Sequence, residues 1–407
     1  MKNSRCFFLL VLILFSGNVV LSQQKTVAEQ MASTAMSALW RDPARNEGGV
    51  PARWTYEYGV VLKGLEGVWL NTGDGRYFSF IQKGLDTFVG ADGTIRSYNA
   101  ADYNLDNINT GRSLLLLYKV TGQEKYRKAA AALREQLKTH PRTADGGFWH
   151  KKIYPNQMWL DGLYMAEPFY AEYAATFHET ADFDDIAKQF ILMERHSRDN
   201  KTGLLYHGWD ESKQQRWANP STGRSPNFWG RAMGWYAMAL VETLDYFPQK
   251  HPQRAELIAI LNRLARSVAK YQDARSGLWW QILDKGNAKG NYLESSAACM
   301  FVYALAKGVR NGYLPANYMK TANDGYRGIQ KEFVKYDATG RFDLAGTVSV
   351  AGLGGNPYRD GSYEYYLSEK VVTNDPKGIG AFLLAATEME LAAKTNRGRG
   401  KRSEALQ

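Results

Sequence analysis

Five short segments of this chain place carboxylates, histidines or basic residues beside aromatic side chains, a combination suited to acid–base chemistry. The most unusual is QMWLDGLYMAEPFY, residues 157–170, where Asp161 has Met158, Tyr164 and Met165 at helical spacings of three and four residues. An ionised carboxylate among apolar side chains is costly unless it is paired, caps a helix or takes part in chemistry. Asp161 is therefore a candidate catalytic acid, and residue type alone leaves a helix cap as the alternative.

A second carboxylate lies in YNLDNINTGRSL, residues 103–114. Asp106 stands between Leu105 and Ile108, at the point where a helix is expected to begin. One interpretation is an N-cap, because Asp is among the residues that cap helices best. The other is a second acidic group of a catalytic site.

Two further segments carry histidines beside aromatic residues. His150 and Lys151 follow an aromatic pair in GGFWHKK, residues 146–152, and His207 lies in GLLYHGWDES, residues 203–212. Imidazole titrates near neutral pH, so these side chains could bind substrate or move a proton. A solvated loop is the alternative, because polar side chains are common in connecting segments.

The fifth segment is NFWGRAMGWYAMAL, residues 227–240. Arg231 and Trp235 are four residues apart, which predicts that they stack on one face of a helix. The pair could be a structural cation–π contact, or a clamp for a carboxylate beside a flat platform for a sugar ring. Each segment alone is weak evidence, but together they are typical of a site that processes glycans.

Several other kinds of chemistry lack their motifs. The sequence has no HExxH, no paired CxxC, no GxGxxG, no P-loop and no GxSxG. Its two cysteines and six histidines are scattered, which argues against a zinc site. We therefore predict neither a metal nor a cofactor.

The elements that must position these residues are mostly helical. Apolar periodicity predicts twelve helices, separated by loops rich in Gly, Asn and Asp. The predicted helices lie near residues 26–40, 56–71, 75–88, 105–119, 123–138, 161–178, 182–195, 228–246, 252–273, 291–310, 315–334 and 377–394. The longer predicted loops are 91–104, 139–156, 199–227 and 337–376.

The helices repeat as pairs. The first three turns contain Thr72, Thr121 and Thr180, and the later ones fall at residues 247–248 and 314–315. Five hairpins and a terminal helix pair predict an all-α, single-domain (α/α)6 barrel over residues 23–394. An open α-solenoid is the competing architecture, but the irregular repeats and long loops favour a closed barrel.

The N-terminal residues 1–22 predict a cleaved signal peptide. Lys2 and Arg5 precede a short apolar run that is too short for a convincing membrane span. The prediction is a secreted or periplasmic protein with no membrane insertion after cleavage. Cleavage leaves Cys299 as the single cysteine, so no internal disulfide can form.

The net charge does not indicate a nucleic-acid partner. Of the formal +10, the leader contributes +2 and the segment from Lys394 onward contributes +4, so +4 remains for the body. Residues 395–407 read as a basic, disordered tail. A mildly basic body suits an anionic substrate such as a uronic acid.

The five segments resemble, in order and spacing, the motifs of the unsaturated rhamnogalacturonyl hydrolases, glycoside hydrolase family 105, which are related to unsaturated glucuronyl hydrolases. The resemblance covers most of the chain and implies an (α/α)6 barrel. It also implies an oligosaccharide substrate, made by a polysaccharide lyase, with a Δ4,5-unsaturated galacturonyl or glucuronyl residue at its non-reducing end. The implied reaction hydrates the C4–C5 vinyl ether, and the resulting hemiketal opens and releases the next sugar.

The resemblance also assigns roles to residues. It makes Asp161 the catalytic acid and base, and it gives Asp106 a second catalytic position. Apolar neighbours and a second carboxylate nearby are expected to raise the pKa of Asp161. The implied substrate contacts are Tyr56 (or its neighbour Tyr58), His150, Lys151, His207, Arg231 and Trp235. The implied assembly is a monomer or a homodimer.

Two other functions stay open at this point. An ordinary inverting glycosidase on the same barrel would use Asp106 and Asp161 as acid and base. A non-catalytic periplasmic glycan-binding protein would keep the aromatic residues without needing either carboxylate.

Overall fold

The computed structural model describes residues 25–39, 53–339 and 341–404, of which 38, 39 and 395–404 are described as backbone only. Within these ranges the chain forms thirteen α-helices and six short strands. None of the helices in this part of the chain is both long enough and apolar enough to cross a membrane. The predicted signal peptide, residues 1–22, lies outside the described residues.

Six helices form an inner ring in which each packs against the next, and the last packs against the first. These helices are α2 (Tyr56–Thr72), α4 (Gly111–Thr121), α6 (Leu160–Phe177), α8 (Gly230–Tyr246), α10 (Ser295–Arg310) and α13 (Pro376–Glu404). They carry few exposed positions: every residue of α8 from Gly230 to Leu244 is buried. A helix that is apolar on all sides needs cover on all sides, which a second layer provides.

Six outer helices provide that second layer, one beside each inner helix. They are α1 (Val27–Thr34), α3 (Gly75–Asp86), α5 (Glu124–Thr139), α7 (Asp182–Ser197), α9 (Arg254–Lys270) and α11 (Tyr318–Glu332). These helices are amphipathic; in α3, Tyr77, Ile81 and Leu85 are buried at a spacing of four residues. Because α1 pairs with α13, helices from the two ends of the chain complete the ring, and the predicted (α/α)6 barrel is confirmed.

All six inner helices begin at the same end of the barrel. Near their starts, Arg231 of α8 approaches Ser296 of α10, and near their ends Asp245 of α8 pairs with Lys307 of α10. Since every inner helix begins at one mouth, the loops that enter them meet there.

The strands belong to the loops rather than to a common sheet. They are β1 (Gln157–Trp159), β2 (Gly208–Asp210), β3 (Val334–Tyr336), β4 (Phe342–Leu344), β5 (Thr347–Val348) and β6 (Val371–Val372). They pair as three separate antiparallel ribbons, β1–β2, β3–β4 and β5–β6. One further short helix, α12 (Tyr363–Ser368), lies between β5 and β6.

The structure changes some predicted boundaries. The helix predicted from residue 105 begins as a separate 3-10 turn, Leu105–Ile108, before α4. The segment 337–376, predicted as a loop, holds three strands and α12. The last helix continues to Glu404 rather than ending at 394, because extending an established helix costs much less than nucleating one.

Candidate active site

Four of the predicted site residues lie where inner helices begin. Tyr56 is the first residue of α2, and Asp161 and Arg231 each occupy the second position of their helices, α6 and α8. Asp106 lies in the 3-10 turn that precedes α4. The barrel therefore brings together, at one mouth, residues that are far apart in the sequence.

The pairing of β1 with β2 places His207 beside Asp161. Trp159 is opposite Gly208 in this ribbon, and the Leu160 N–H donates to the His207 carbonyl at 3.0 Å. The His207 Nε2 consequently lies 3.1 Å from the Asp161 Oδ2. The contact is close but not aligned as a hydrogen bond, and both atoms are buried without another hydrogen-bond partner among the described residues.

A second backbone contact places His150 and Lys151 beside Asp106. Asn104 forms a β-bridge with Lys151, and the Leu105 N–H donates to the His150 carbonyl at 3.2 Å. The Lys151 Nζ then lies 2.5 Å from one Asp106 carboxylate oxygen, and the His150 Nε2 lies 3.6 Å from the other. Asp106 is thus neutralised by a lysine.

Neither carboxylate is a helix cap. The N-cap of α6 is Trp159, and the N-cap of the 3-10 turn is Asn104, whose side chain accepts from the Asp106 N–H. The capping interpretation of Asp106 and Asp161 is therefore wrong. The two carboxylates instead contact basic side chains, Lys151 and His207 respectively.

The expected rise in the pKa of Asp161 is also wrong. Burial does raise the pKa of this carboxyl, but the neighbouring His207 outweighs burial and leaves the pKa below its ordinary value. The expectation rested on the apolar neighbours and on a second carboxylate, whereas the pairing of β1 with β2, which no local pattern indicates, brings an imidazole to Asp161. Asp161 is therefore ionised near neutral pH when no substrate is present.

His150 is buried as a neutral imidazole. Burial lowers its pKa to about 4, against the opposing influence of Asp106. Its ring stacks on Trp159 at 4.4 Å between centroids, and Tyr154 stacks on the other side of this indole at 4.9 Å. Its Nδ1 is buried against Gly162 of α6 and has no hydrogen-bond partner among the described residues.

Arg231 is a buried cation without a carboxylate partner in the described part of the chain. It is 1% exposed, and its Nη1 donates to the Val348 carbonyl at 2.6 Å. Its guanidinium lies over Trp229, 5.0 Å from the ring centroid, and not over Trp235 as predicted. A buried arginine satisfied only by neutral groups is well suited to bind an anionic ligand.

Trp235 forms part of the floor below the mouth. It is 1% exposed and stacks on Tyr164, with centroids 4.7 Å apart, while Tyr56 meets it edge-on at 6.4 Å. Tyr56 is also close enough to Asp106, Asp161 and Arg231 for their charges to act on its pKa, which burial raises. Tyr58 instead meets Phe88 in the α2–α3 hairpin, so the structure selects Tyr56 over Tyr58 as the residue at the site.

Comparison with known proteins gives the family. The sequence profile of Glycosyl Hydrolase Family 88 matches residues 27–393. The chain belongs to this family. It is also similar to the family 105 glycoside hydrolase of C. acetobutylicum, whose structure is 49% identical, covers 90% of this chain and 100% of that chain, and superimposes with a TM-score of 0.86. These findings confirm the resemblance found in the sequence.

Two further proteins are named for an activity. The unsaturated rhamnogalacturonyl hydrolase YesR of Bacillus subtilis is 29% identical over 273 residues, 66% of this chain and 73% of that protein. The unsaturated glucuronyl hydrolase of Bacillus sp. GL1, at 14% identity, shares the fold with a TM-score of 0.65 over 89% of this chain and 95% of its own.

This family 88 chain has site residues that sequence reasoning missed. Trp159 stacks on His150. It stands two residues before Asp161 in the segment 157–170, so an aromatic residue beside the candidate acid was the available signal. Tyr366 lies 2.7 Å from His207 through its hydroxyl, but it comes from the segment 337–376, which carried no recognisable motif. Within the described ranges, no group of three or more His, Cys, Asp or Glu is arranged to hold a metal ion.

Proposed function

We propose that this glycoside hydrolase removes a Δ4,5-unsaturated uronic acid from the non-reducing end of oligosaccharides produced by polysaccharide lyases, such as rhamnogalacturonan fragments. Family membership and the relatives named for unsaturated rhamnogalacturonyl and glucuronyl substrates support this activity. The residues at the mouth of the barrel support it independently.

The observation that carries the proposal is the unequal state of the two carboxylates. Lys151 holds Asp106 in an ion pair, whereas Asp161 Oδ2 has no hydrogen bond and faces His207. A conventional glycosidase needs two carboxyl groups, one acting as acid and the other as base or nucleophile. Hydration of a vinyl ether needs one group that first gives a proton and then takes one back, which matches a single available carboxyl.

The residues then take the following roles. Arg231 binds the carboxylate of the unsaturated sugar, and His150 offers Nε2, which lies beside Asp106, to a sugar hydroxyl. Protonated Asp161 gives its proton to C4, water adds at C5, and the proton that water loses returns to Asp161. The hemiketal at C5 then opens and releases the next sugar.

Asp161 must gain its proton when substrate binds. The substrate carboxylate brings a negative charge into the site, and the sugar displaces water from it; both effects raise the pKa of a carboxyl. His207 keeps Asp161 ionised in the free enzyme, so the acid forms only in the complex.

We also propose that the protein acts outside the cytoplasm, directed there by residues 1–22. The mildly basic body and the buried Arg231 are compatible with an acidic oligosaccharide.

Replacing Asp161 tests this function. We expect Asp161→Asn to lower kcat on unsaturated disaccharides by about 10²- to 10⁴-fold, because the amide cannot transfer the proton. Loss of the ultraviolet absorbance of the unsaturated ring measures turnover, and circular dichroism checks the fold. Asp92→Asn, at an exposed turn, is the matched control and should keep full activity.

Saturated substrates separate the alternatives. The wild-type enzyme should leave saturated galacturonyl and glucuronyl disaccharides intact, whereas an inverting glycosidase would cleave them. A glycan-binding protein would turn over neither class, and its affinity would not depend on Asp161 as an acid. Equal cleavage of both substrate classes, or full activity of Asp161→Asn, would overturn the proposal.

A further inference from the structure

Tyr366 is the group that contacts His207 on the side away from Asp161. It lies in α12, within residues 337–376, the C-terminal segment, for which the sequence indicated no role. Its hydroxyl is 2.7 Å from the His207 Nδ1, and neither side chain is exposed to solvent. On the opposite edge of the same imidazole, Nε2 faces Asp161 at 3.1 Å. Tyr366, His207 and Asp161 therefore form a continuous row.

The hydrogen-bond chemistry selects one tautomer of His207. The Tyr366 hydroxyl has no other hydrogen-bond partner among the described residues, so its proton is satisfied only by donation to His207 Nδ1. An imidazole that accepts at Nδ1 carries its proton at Nε2, on the edge that faces the Asp161 carboxylate. The opposite tautomer would direct a lone pair of Nε2 at an anion.

The surroundings hold Tyr366 firmly in place. Its ring stacks near Trp229, 5.8 Å between centroids, and Trp229 also packs on His207 at 4.8 Å. Its backbone carbonyl accepts from the Gln281 side chain at 3.2 Å. The C-terminal segment also supplies the Val348 carbonyl that holds Arg231, so it fixes two groups of the site at once.

We propose that Tyr366 is a positioning residue, which fixes the Nε2–H tautomer of His207 and thereby the orientation and ionisation of Asp161 in the free enzyme. This inference rests on the proposed function, because it assumes that Asp161 is the acid. It gives the C-terminal segment a chemical role.

Other titratable and charged groups face the row from the neighbouring elements. His150 and Tyr56 lie close to Asp161. Arg359, Asp360 and Tyr365 are close to Tyr366. Asp106 and Lys151 lie close to His150, and Arg231 lies close to Tyr56. None of them is bonded to the Tyr366 hydroxyl, so removing that hydroxyl leaves their own contacts in place.

Tyr366→Phe tests the inference through kinetics as a function of pH. The ring remains, but His207 can exchange tautomers, so kcat should fall about tenfold, the upper range for one lost hydrogen bond, while KM changes little. With less stabilisation of its ionised form, Asp161 should hold its proton to higher pH in the free enzyme. The alkaline limb of kcat/KM should therefore move to higher pH.

Tyr236→Phe is the matched control. Tyr236 is equally buried, and its hydroxyl donates to the Phe190 carbonyl at 2.9 Å, away from the site. This variant should lose some stability without any shift of the limb. If Tyr366→Phe behaves like Tyr236→Phe, with an unmoved limb and nearly full kcat, the positioning role is wrong.

A spectroscopic measurement separates this inference from the proposed function. Nitrogen-15 NMR of the six histidines, with His207→Gln to assign the signal, reports the tautomer without any substrate. We expect the Nε2–H form in the wild-type protein and a mixture in Tyr366→Phe. A wild-type Nδ1–H form would overturn the inference. A correct tautomer in a protein that does not turn over unsaturated disaccharides would contradict the proposed function alone.

Discussion

Asp161 is a carboxyl on which burial and a neighbouring imidazole act in opposite directions. Burial favours the protonated acid, whereas His207 favours the carboxylate, and His207 prevails in the absence of substrate. In the free enzyme Asp161 is therefore ionised and cannot act as an acid. The acid appears when a second negative charge, the substrate carboxylate beside Arg231, shifts the balance.

This balance predicts different pH profiles for the two kinetic constants. The profile of kcat/KM reports the free enzyme, and that of kcat reports the enzyme–substrate complex. Because activity requires protonated Asp161, each constant should decline as pH rises above the pKa of Asp161 in the corresponding state. The alkaline limb of kcat should lie at higher pH than that of kcat/KM, measured on one unsaturated disaccharide. Coincident limbs would show that substrate does not alter the protonation of Asp161.

Some elements of the barrel follow from local sequence patterns, and others do not. The hairpins of α2 to α11 follow from apolar periodicity and local turn residues, such as Thr72 and Thr121, because both signals lie within a few positions of the element they define. The ribbon of β1 and β2 is only three residues long on each side and joins segments about fifty residues apart, so no local pattern indicates it. This ribbon brings His207 to Asp161, so the sequence offers both residues as candidates but does not indicate that they lie together.

The close approach of α2 and α13 gives a prediction at the scale of the element. These neighbouring inner helices meet at Gly380, where a Cβ would lie 2.5 Å from the Val60 Cγ1 and 2.6 Å from the Val60 carbonyl oxygen. Backbone atoms cannot move aside cheaply, so Gly380→Ala should destabilise the protein by about 1–3 kcal/mol. Urea denaturation followed by circular dichroism would measure the change.

Gly84 provides the comparison for this substitution. It lies within α3, and a Cβ added there would meet no atom within 4 Å. Gly84→Ala should therefore stabilise the protein by up to about 1 kcal/mol, since alanine favours the helix. Similar effects at both glycines would mean that the α2–α13 contact does not need glycine.

At the scale of the whole molecule, the closed ring buries its entering loops along with its helices. The loop between α5 and β1 illustrates this with His140 and His150, each 3% exposed. His140 Nε2 lies 2.8 Å from the Trp149 carbonyl, which accepts its proton, and this contact holds the loop that carries His150 and Lys151. The same burial that shapes the site therefore keeps two imidazoles neutral.

This burial makes the stability of the barrel sensitive to mild acid. Burial lowers the pKa of His140, and of His150, to about 4 from an ordinary value of 6.5. Between these values the unfolded chain binds a proton that the folded chain does not, so the free energy of unfolding falls as pH drops from about 6.5 towards 4. Each histidine should account for about 2 kcal/mol at pH near 5.

His140→Gln should make this dependence shallower, because glutamine keeps a side-chain N–H donor but cannot be protonated in the unfolded chain. The measurement is the free energy of unfolding from urea titrations at several pH values between about 7.5 and 5. The offset between variant and wild type at the highest pH measures the loss of packing, so only the slope tests the argument. We expect the slope to fall by the equivalent of one bound proton. Parallel curves would show that His140 is protonated equally in both states and that its burial has no part in the response to acid.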